Sequence, residues 1–182
     1  VVAGDCIENK TYKIMAKGVI NATGVFSDSI TNLDIKKRKK TIVPSQGVHI
    51  VLDKSFLAGN HAIMVPHTTD GRVLFAVPWN NYVIVGTTDT QIEKSNIEPI
   101  PLDDEIKFIL KNAGSYMKSA PTFKDIKSVF AGLRPLAAPE NNEKATKEIS
   151  RHHKVTVSTS GLISILGGKW TTYRKMAEDT VN

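Results

Sequence analysis

One cysteine in 182 residues, Cys6, excludes an internal disulfide, and a lone thiol fits a reducing compartment better than a cross-linked secreted scaffold. Long apolar runs are missing as well. No stretch approaches the roughly 20 apolar residues of a bilayer-spanning helix, and the first residues lack the charged-then-apolar layout of a signal peptide, so the chain is expected to be soluble. The histidines other than His49, namely His61, His67, His152 and His153, lack the paired spacing of a zinc site, and no metal is expected. Internal repeats are absent, and the only biased tract is Lys36-Lys37-Arg38-Lys39-Lys40. There is no initiator methionine, and Val1-Val2-Ala3-Gly4 reads as the middle of a strand, which suggests an excised region.

What is present describes an ordinary packed protein. Apolar residues make up 41% and charged residues 23%. The length suits one large or two small domains. Lys and Arg number 24 against 18 Asp and Glu, a net charge of +6 that favours anionic partners: nucleic acid, phosphorylated metabolites or acidic lipid. Five adjacent cations repel one another and cannot be buried, so Lys36 to Lys40 is expected to be an exposed loop. A nucleic-acid module would interleave aromatic platforms with its cations, and none stands near this run.

The patterning predicts a mixed sheet with few helices. Strands are expected at Val1 to Ile7, Thr11 to Ala16 and Val19-Ile20, followed by a short helix carrying Val25, Phe26 and Ile30. Further strands are expected at Val48 to Leu52, Ala62 to Pro66, Arg72 to Trp79 and Tyr82 to Thr87, with Asp70-Gly71 and Asn80-Asn81 as tight hairpin turns. Asp103-Asp104-Glu105 opens an amphipathic helix whose apolar positions are Ile106, Ile109, Leu110, Ala113 and Met117. Strands at Ile126 to Leu133, Lys154 to Thr159 and Leu162 to Leu166 follow, with a polar loop over Pro139 to Lys147 and a final helix beginning near Trp170.

Three segments carry candidate chemistry. In Leu166-Gly167-Gly168-Lys169-Trp170-Thr171-Thr172-Tyr173-Arg174 a strand runs through two glycines into a helix start, where backbone N–H groups, positive potential and Lys169 suit a phosphate or an electron-rich ring. A glycine-rich turn with a surface lysine is the plain alternative. Gly132-Leu133-Arg134-Pro135-Leu136 places Arg134 at a strand end fixed by proline, able to reach a hydroxyl, carboxylate or phosphate. Arg151 follows, and by itself it reads as a solvated arginine at a strand start. His49, inside the apolar strand Gly47-Val48-His49-Ile50-Val51, is either a proton acceptor or a core histidine.

These strings, with Asn21-Ala22-Thr23-Gly24, Pro78-Trp79 and Gly86-Thr87-Thr88-Asp89, resemble in order and spacing the FAD-dependent glycerol-3-phosphate dehydrogenase family, over nearly the whole chain. The resemblance implies an α/β fold with α+β character: a mixed-sheet substrate domain flanked at both ends by pieces of a Rossmann-like FAD domain. It implies FAD-domain elements at 1–41, a substrate-binding cap at 42–130, and a return to the FAD domain with the closing helix at 131–182. The family's G-x-G-x-x-G fingerprint is not in this chain and is expected upstream, with a helical domain after Asn182, so the chain alone is expected not to retain FAD.

The implied reaction oxidises sn-glycerol 3-phosphate to dihydroxyacetone phosphate with hydride transfer to FAD. His49 would be the base and Arg134 would hold the C2 oxygen; Arg151 and Lys169 would bind phosphate. Ala22, Thr23, Gly24, Gly167, Gly168, Lys169 and Thr171 would contact the cofactor. The electron acceptor would be quinone or oxygen, and the location cytoplasmic, peripheral on the inner membrane face in quinone-linked members. Two other readings stay open: a related FAD oxidoreductase acting on an amino acid or 2-hydroxy acid, and a basic anion-binding module.

Overall fold

The fold is organised by its longest strand, β4 (Ile42–Asp53). The computed structural model describes residues 1–35, 39–139, 149 and 151–182. Successive side chains of a strand point to opposite faces, so Val48, Ile50 and Leu52 share one face and are fully buried. Gly47, His49 and Val51 share the other.

Along one edge of β4 lie β7 (Tyr82–Gly86), opposite residues 49–53, and β8 (Thr90–Gln91), opposite 45 and 46. Along the other edge runs β9 (Ser128–Ala137), from Ile42↔Ala137 to Val51↔Ser128. Outward from β7 come β6 (Leu74–Trp79) and β5 (Ile63–Val65), completing a six-stranded antiparallel sheet. Its inner face, with Ala76, Val83 and Val85, packs on Ile106, Ile109, Leu110 and Ala113 of α2 (Asp103–Gly114). Fully burying a side chain such as Ile109 stabilises the fold by about 1.5–3 kcal/mol.

Two local expectations are corrected. Asn80 (φ +52°) closes the Trp79↔Tyr82 hairpin as its sequence suggests, but Asp70-Gly71 does not make a tight hairpin. Pairing between β5 and β6 begins at Val65↔Leu74, so the connection runs over 66–73. Within it Asp70-Gly71 does form a turn, Gly71 (φ +79°) donating its N–H to the Thr68 carbonyl (3.0 Å), and the longer connection docks on α2, where Thr69 N donates to Asn112 Oδ1 (2.8 Å) and Arg72 lies over the Phe108 ring at 5.0 Å. Arg134, in turn, sits inside β9 rather than at a strand end. The strand continues through Pro135 because Pro135 faces Pro44, whose carbonyl accepts from Ile92 N on the opposite edge. At this pair the ladder asks for neither proline N–H.

A smaller sheet joins the two ends of the sequence. Its strands are β3 (Val19–Asn21), β10 (His153–Val157) and β11 (Leu162–Gly167); β3 is parallel to β11, and β10 is antiparallel to it. A separate hairpin is formed by β1 (Val2–Asp5) and β2 (Lys10–Lys13). Asp28 of α1 (Ser27–Asp34) accepts from Thr41 N (3.0 Å) and Ile42 N (3.3 Å), tying the smaller sheet's helix to the start of β4. After a 3-10 turn at Trp170–Thr172, α3 (Tyr173–Val181) closes the chain. Of the basic run, Lys39 and Lys40 are exposed, while Lys36, Lys37 and Arg38 lie outside the described residues. So does the expected polar loop beyond Pro139.

Candidate functional site

Opposite the core, the large sheet presents an open face on which pairing register aligns Phe75, Gly86, His49 and Phe130 in one row. The next rows along β4 and β9 place Gly47 against Gly132 and Ser45 against Arg134. His49 stacks on Phe130 with centroids 5.1 Å apart and planes at 10°, which fixes the imidazole's plane. A Cβ at Gly86 would overlap that ring, and one at Gly47 would overlap the Arg134 guanidinium, so both polar side chains lie flat across glycines. Gly86→Ala is therefore expected to destabilise the protein by about 1–3 kcal/mol through overpacking against His49, measured by urea denaturation.

Burial lowers the pKa of His49, and the Arg134 charge lowers it further. The ring is thus neutral at pH 7 and able to accept a proton. Arg134 is half-buried; its pKa is lowered first by desolvation, opposed by Asp89, and lowered again by Arg151. An arginine remains charged through shifts of this kind. Its Nη1 donates to the Thr88 carbonyl (3.1 Å) and its Nη2 to Thr87 Oγ1 (3.0 Å). Arg151 joins the same cluster by donating from Nη2 to Asp89 Oδ2 (3.1 Å).

The residues expected at a cofactor gather elsewhere, at the carboxyl ends of the parallel strands. Ser164↔Asn21 pairing sends β3 into Ala22-Thr23-Gly24 and β11 into Gly167-Gly168-Lys169 on the same side. In open α/β sheets ligands bind in the crevice at that end. Asn21 fixes the first turn: its Nδ2 donates to the Ser27 carbonyl (3.0 Å), and its Oδ1 accepts from Thr23 Oγ1 (2.7 Å). At Gly24 (φ +59°) a Cβ would meet nothing within 4 Å, leaving open backbone. Lys169 and Thr171 are exposed.

Gly167 (φ +71°) and Gly168 (φ +84°) require glycine first for their left-handed backbone, whether or not a ligand approaches. A Cβ at Gly167 would come within 2.8 Å of the His152 carbonyl oxygen, and one at Gly168 would overlap Met176. The packing of β11 against α3 and β10 adds to that internal demand. The register His153↔Gly167 also brings the backbone segments of Arg151 and Lys169 to one end of the β10–β11 pair.

The FAD dependent oxidoreductase (DAO) family profile matches residues 2–174 of this chain. The chain belongs to that family. Human mitochondrial glycerol-3-phosphate dehydrogenase is 42% identical over 180 residues, covering 98% of this chain and 24% of that protein. A probable mitochondrial glycerol-3-phosphate dehydrogenase of Dictyostelium discoideum is 43% identical over 193 residues, 30% of its length. The chain therefore spans about a quarter to a third of the curated relatives it matches. Among solved structures, glycerol-3-phosphate dehydrogenase from Bacillus halodurans complexed with FAD superposes with a TM-score of 0.82 at 38% identity, over 99% of this chain and 34% of that one. Bacillus cereus glycine oxidase shares the fold at 16% identity and a TM-score of 0.54.

Several residues that contact the candidate side chains were given no individual role in the sequence, although Thr87, Thr88 and Asp89 belong to one of the strings that carry the resemblance. Phe130, Thr87, Thr88 and Asp89 acquire roles only through their contacts with His49, Arg134 and Arg151. A local clue is that polar Thr87-Thr88-Asp89 directly follows the strand β7.

Proposed function

We propose that this chain is a segment of an FAD-dependent glycerol-3-phosphate dehydrogenase, oxidising sn-glycerol 3-phosphate to dihydroxyacetone phosphate. The observation that carries the reading is the meeting, on one open sheet face, of a neutral imidazole and a guanidinium backed by a second guanidinium. The relatives' names supply the substrate. FAD, when bound, supplies the two-electron acceptor. Ala22, Thr23, Gly24, Gly167, Gly168, Lys169 and Thr171 would hold it, and the open backbone at Gly24 and Gly132 suits a flat ligand.

His49 takes the proton of the C2 hydroxyl as hydride leaves C2. Arg134 holds the C2 oxygen as negative charge develops, and Arg151 and Lys169 bind the phosphate dianion. Residues 1–41 and 131–182 form the flavin side and 42–130 the cap, with β9 running unbroken from one into the other. The acceptor is quinone or oxygen and the location cytoplasmic, peripheral at the inner membrane face if quinone-linked. Among the described residues no helix is long and apolar enough to cross a membrane.

Two measurements on the flavin-loaded full-length protein test the reading. It should turn over glycerol 3-phosphate in preference to 2-hydroxyglutarate or glycine; the reverse preference points to an amino-acid or 2-hydroxy-acid enzyme. Arg151→Ala and Lys169→Ala should each raise KM for glycerol 3-phosphate about tenfold or more, the worth of a hydrogen bond to a charged group. Turnover of unphosphorylated glycerol should fall much less, and equal losses on both substrates remove these residues from the phosphate site.

A further inference from the structure

We propose that Asp89 is a positioning residue for the substrate phosphate: it holds Arg151 near Arg134, so that Arg151 meets the phosphate while Arg134 stays on the C2 oxygen. The inference rests on the reading of Arg151 as a phosphate ligand. The Asp89 side chain is 6% exposed and that of Arg151 39%, which makes the carboxylate the fixed partner and the arginine the mobile one. Asp89 Oδ1 accepts from the Ser45 hydroxyl, and Oδ2 accepts the Arg151 Nη2 contact at 3.1 Å. A guanidinium has five N–H groups, and among the described residues the bond to Asp89 engages one nitrogen, so the fork can still present donors to phosphate.

The same short segment aims Arg134, through the Thr88 carbonyl and Thr87 Oγ1. Three consecutive residues therefore orient two cations, and the Asp89 charge offsets the repulsion between them. The segment is itself anchored from the core side. Thr88 Oγ1 accepts from Val48 N (2.9 Å) and donates to Glu105 Oε1 (2.9 Å), which also accepts from Thr90 Oγ1 (2.7 Å). Glu105 Oε2 accepts from Gln46 Nε2 (2.7 Å) and Leu102 N (3.0 Å). A buried carboxylate held by four donors is a rigid support, so the aim of Asp89 is set by α2 and β4 rather than by a free loop.

Coulomb attraction alone predicts the opposite of this proposal, because removing Asp89 takes negative charge away from an anion site. Orientation outweighs that effect here, since an untethered arginine must give up its rotamer freedom on binding. The test measures inhibition by inorganic phosphate and KM for glycerol 3-phosphate in the flavin-loaded full-length protein, for Asp89→Asn, Arg151→Gln and the double variant. Asp89→Asn should weaken phosphate about tenfold, with KM rising more than kcat falls, and the double variant should bind phosphate no worse than Arg151→Gln alone. Unchanged or tighter phosphate binding in Asp89→Asn, or additive losses in the double variant, overturns the inference. If Arg151→Gln itself leaves phosphate binding unaltered, the phosphate-ligand reading fails first. Ser45→Ala loosens Asp89 without stranding a charge and should weaken phosphate about threefold; no change in a stably folded Ser45→Ala protein also counts against the proposal.

Discussion

Replacing His49 by asparagine in the flavin-loaded protein should lower kcat by about 10²–10⁴-fold, the contribution of a positioned general base, while KM changes far less. The ring's stacking on Phe130 and its seat across Gly86 keep it in one plane, and burial with Arg134 alongside holds its pKa below the ordinary 6.5. The parent's kcat/KM should accordingly level off above about pH 6.5 and fall on the acid side, and the variant should lose the part of that fall due to His49. Stability follows the same group. Below its ordinary pKa the unfolded chain binds a proton that the folded one resists, so the His49 contribution is fully present above pH 6.5 and is lost as pH falls through the folded value. A variant with near-parental kcat and reduced stability identifies His49 as a core side chain and places the base elsewhere.

Arg134→Gln is the second large effect. Removing a preorganised donor from developing oxyanion charge costs about 10²–10³-fold in kcat. Glutamine reaches neither the distance nor the charge of a guanidinium that bonds both Thr88 O and Thr87 Oγ1. Added guanidinium ion should restore part of the lost rate, because the variant leaves a gap lined by those same acceptors. A loss of kcat below tenfold, or one that guanidinium leaves untouched, removes Arg134 from the reacting oxygen and leaves it a structural partner of the Thr87–Asp89 segment.

Much of the architecture was legible because it is written in local periodicity. The alternation of Val48, Ile50 and Leu52 marks the buried face of β4, and Ile106, Ile109, Leu110 and Ala113 mark the stripe of α2 that covers it. The Asn80-Asn81 turn was legible for the same reason, since its backbone demand is met by its own residues. The Asp70-Gly71 turn forms as well, but it lies within a connection over 66–73 rather than closing a two-residue hairpin, and that length was not legible because it is set by docking on Asn112 and Phe108 of α2. The extent of β9 was hidden too: Pro135 reads locally as a stop, and only its pairing with Pro44 makes it harmless.

The sequence by itself determined which side chains share a face, the ordered strings that mark the family, and the candidates His49, Arg134, Arg151 and Lys169. Tertiary structure alone decided that Arg134 and Arg151 are aimed by one segment, that Asp89 is locked by Ser45, and that Thr23 and Gly168 stand at the same sheet end. It also decided that Gly168, held at φ +84°, packs against the end of the Met176 side chain. The division has a physical cause. A strand's period fixes the direction of a side chain within its own element, whereas Ser45–Asp89 and Asp89–Arg151 join residues 44 and 62 positions apart, and which of them meet is set by strand register and the packing of separate elements.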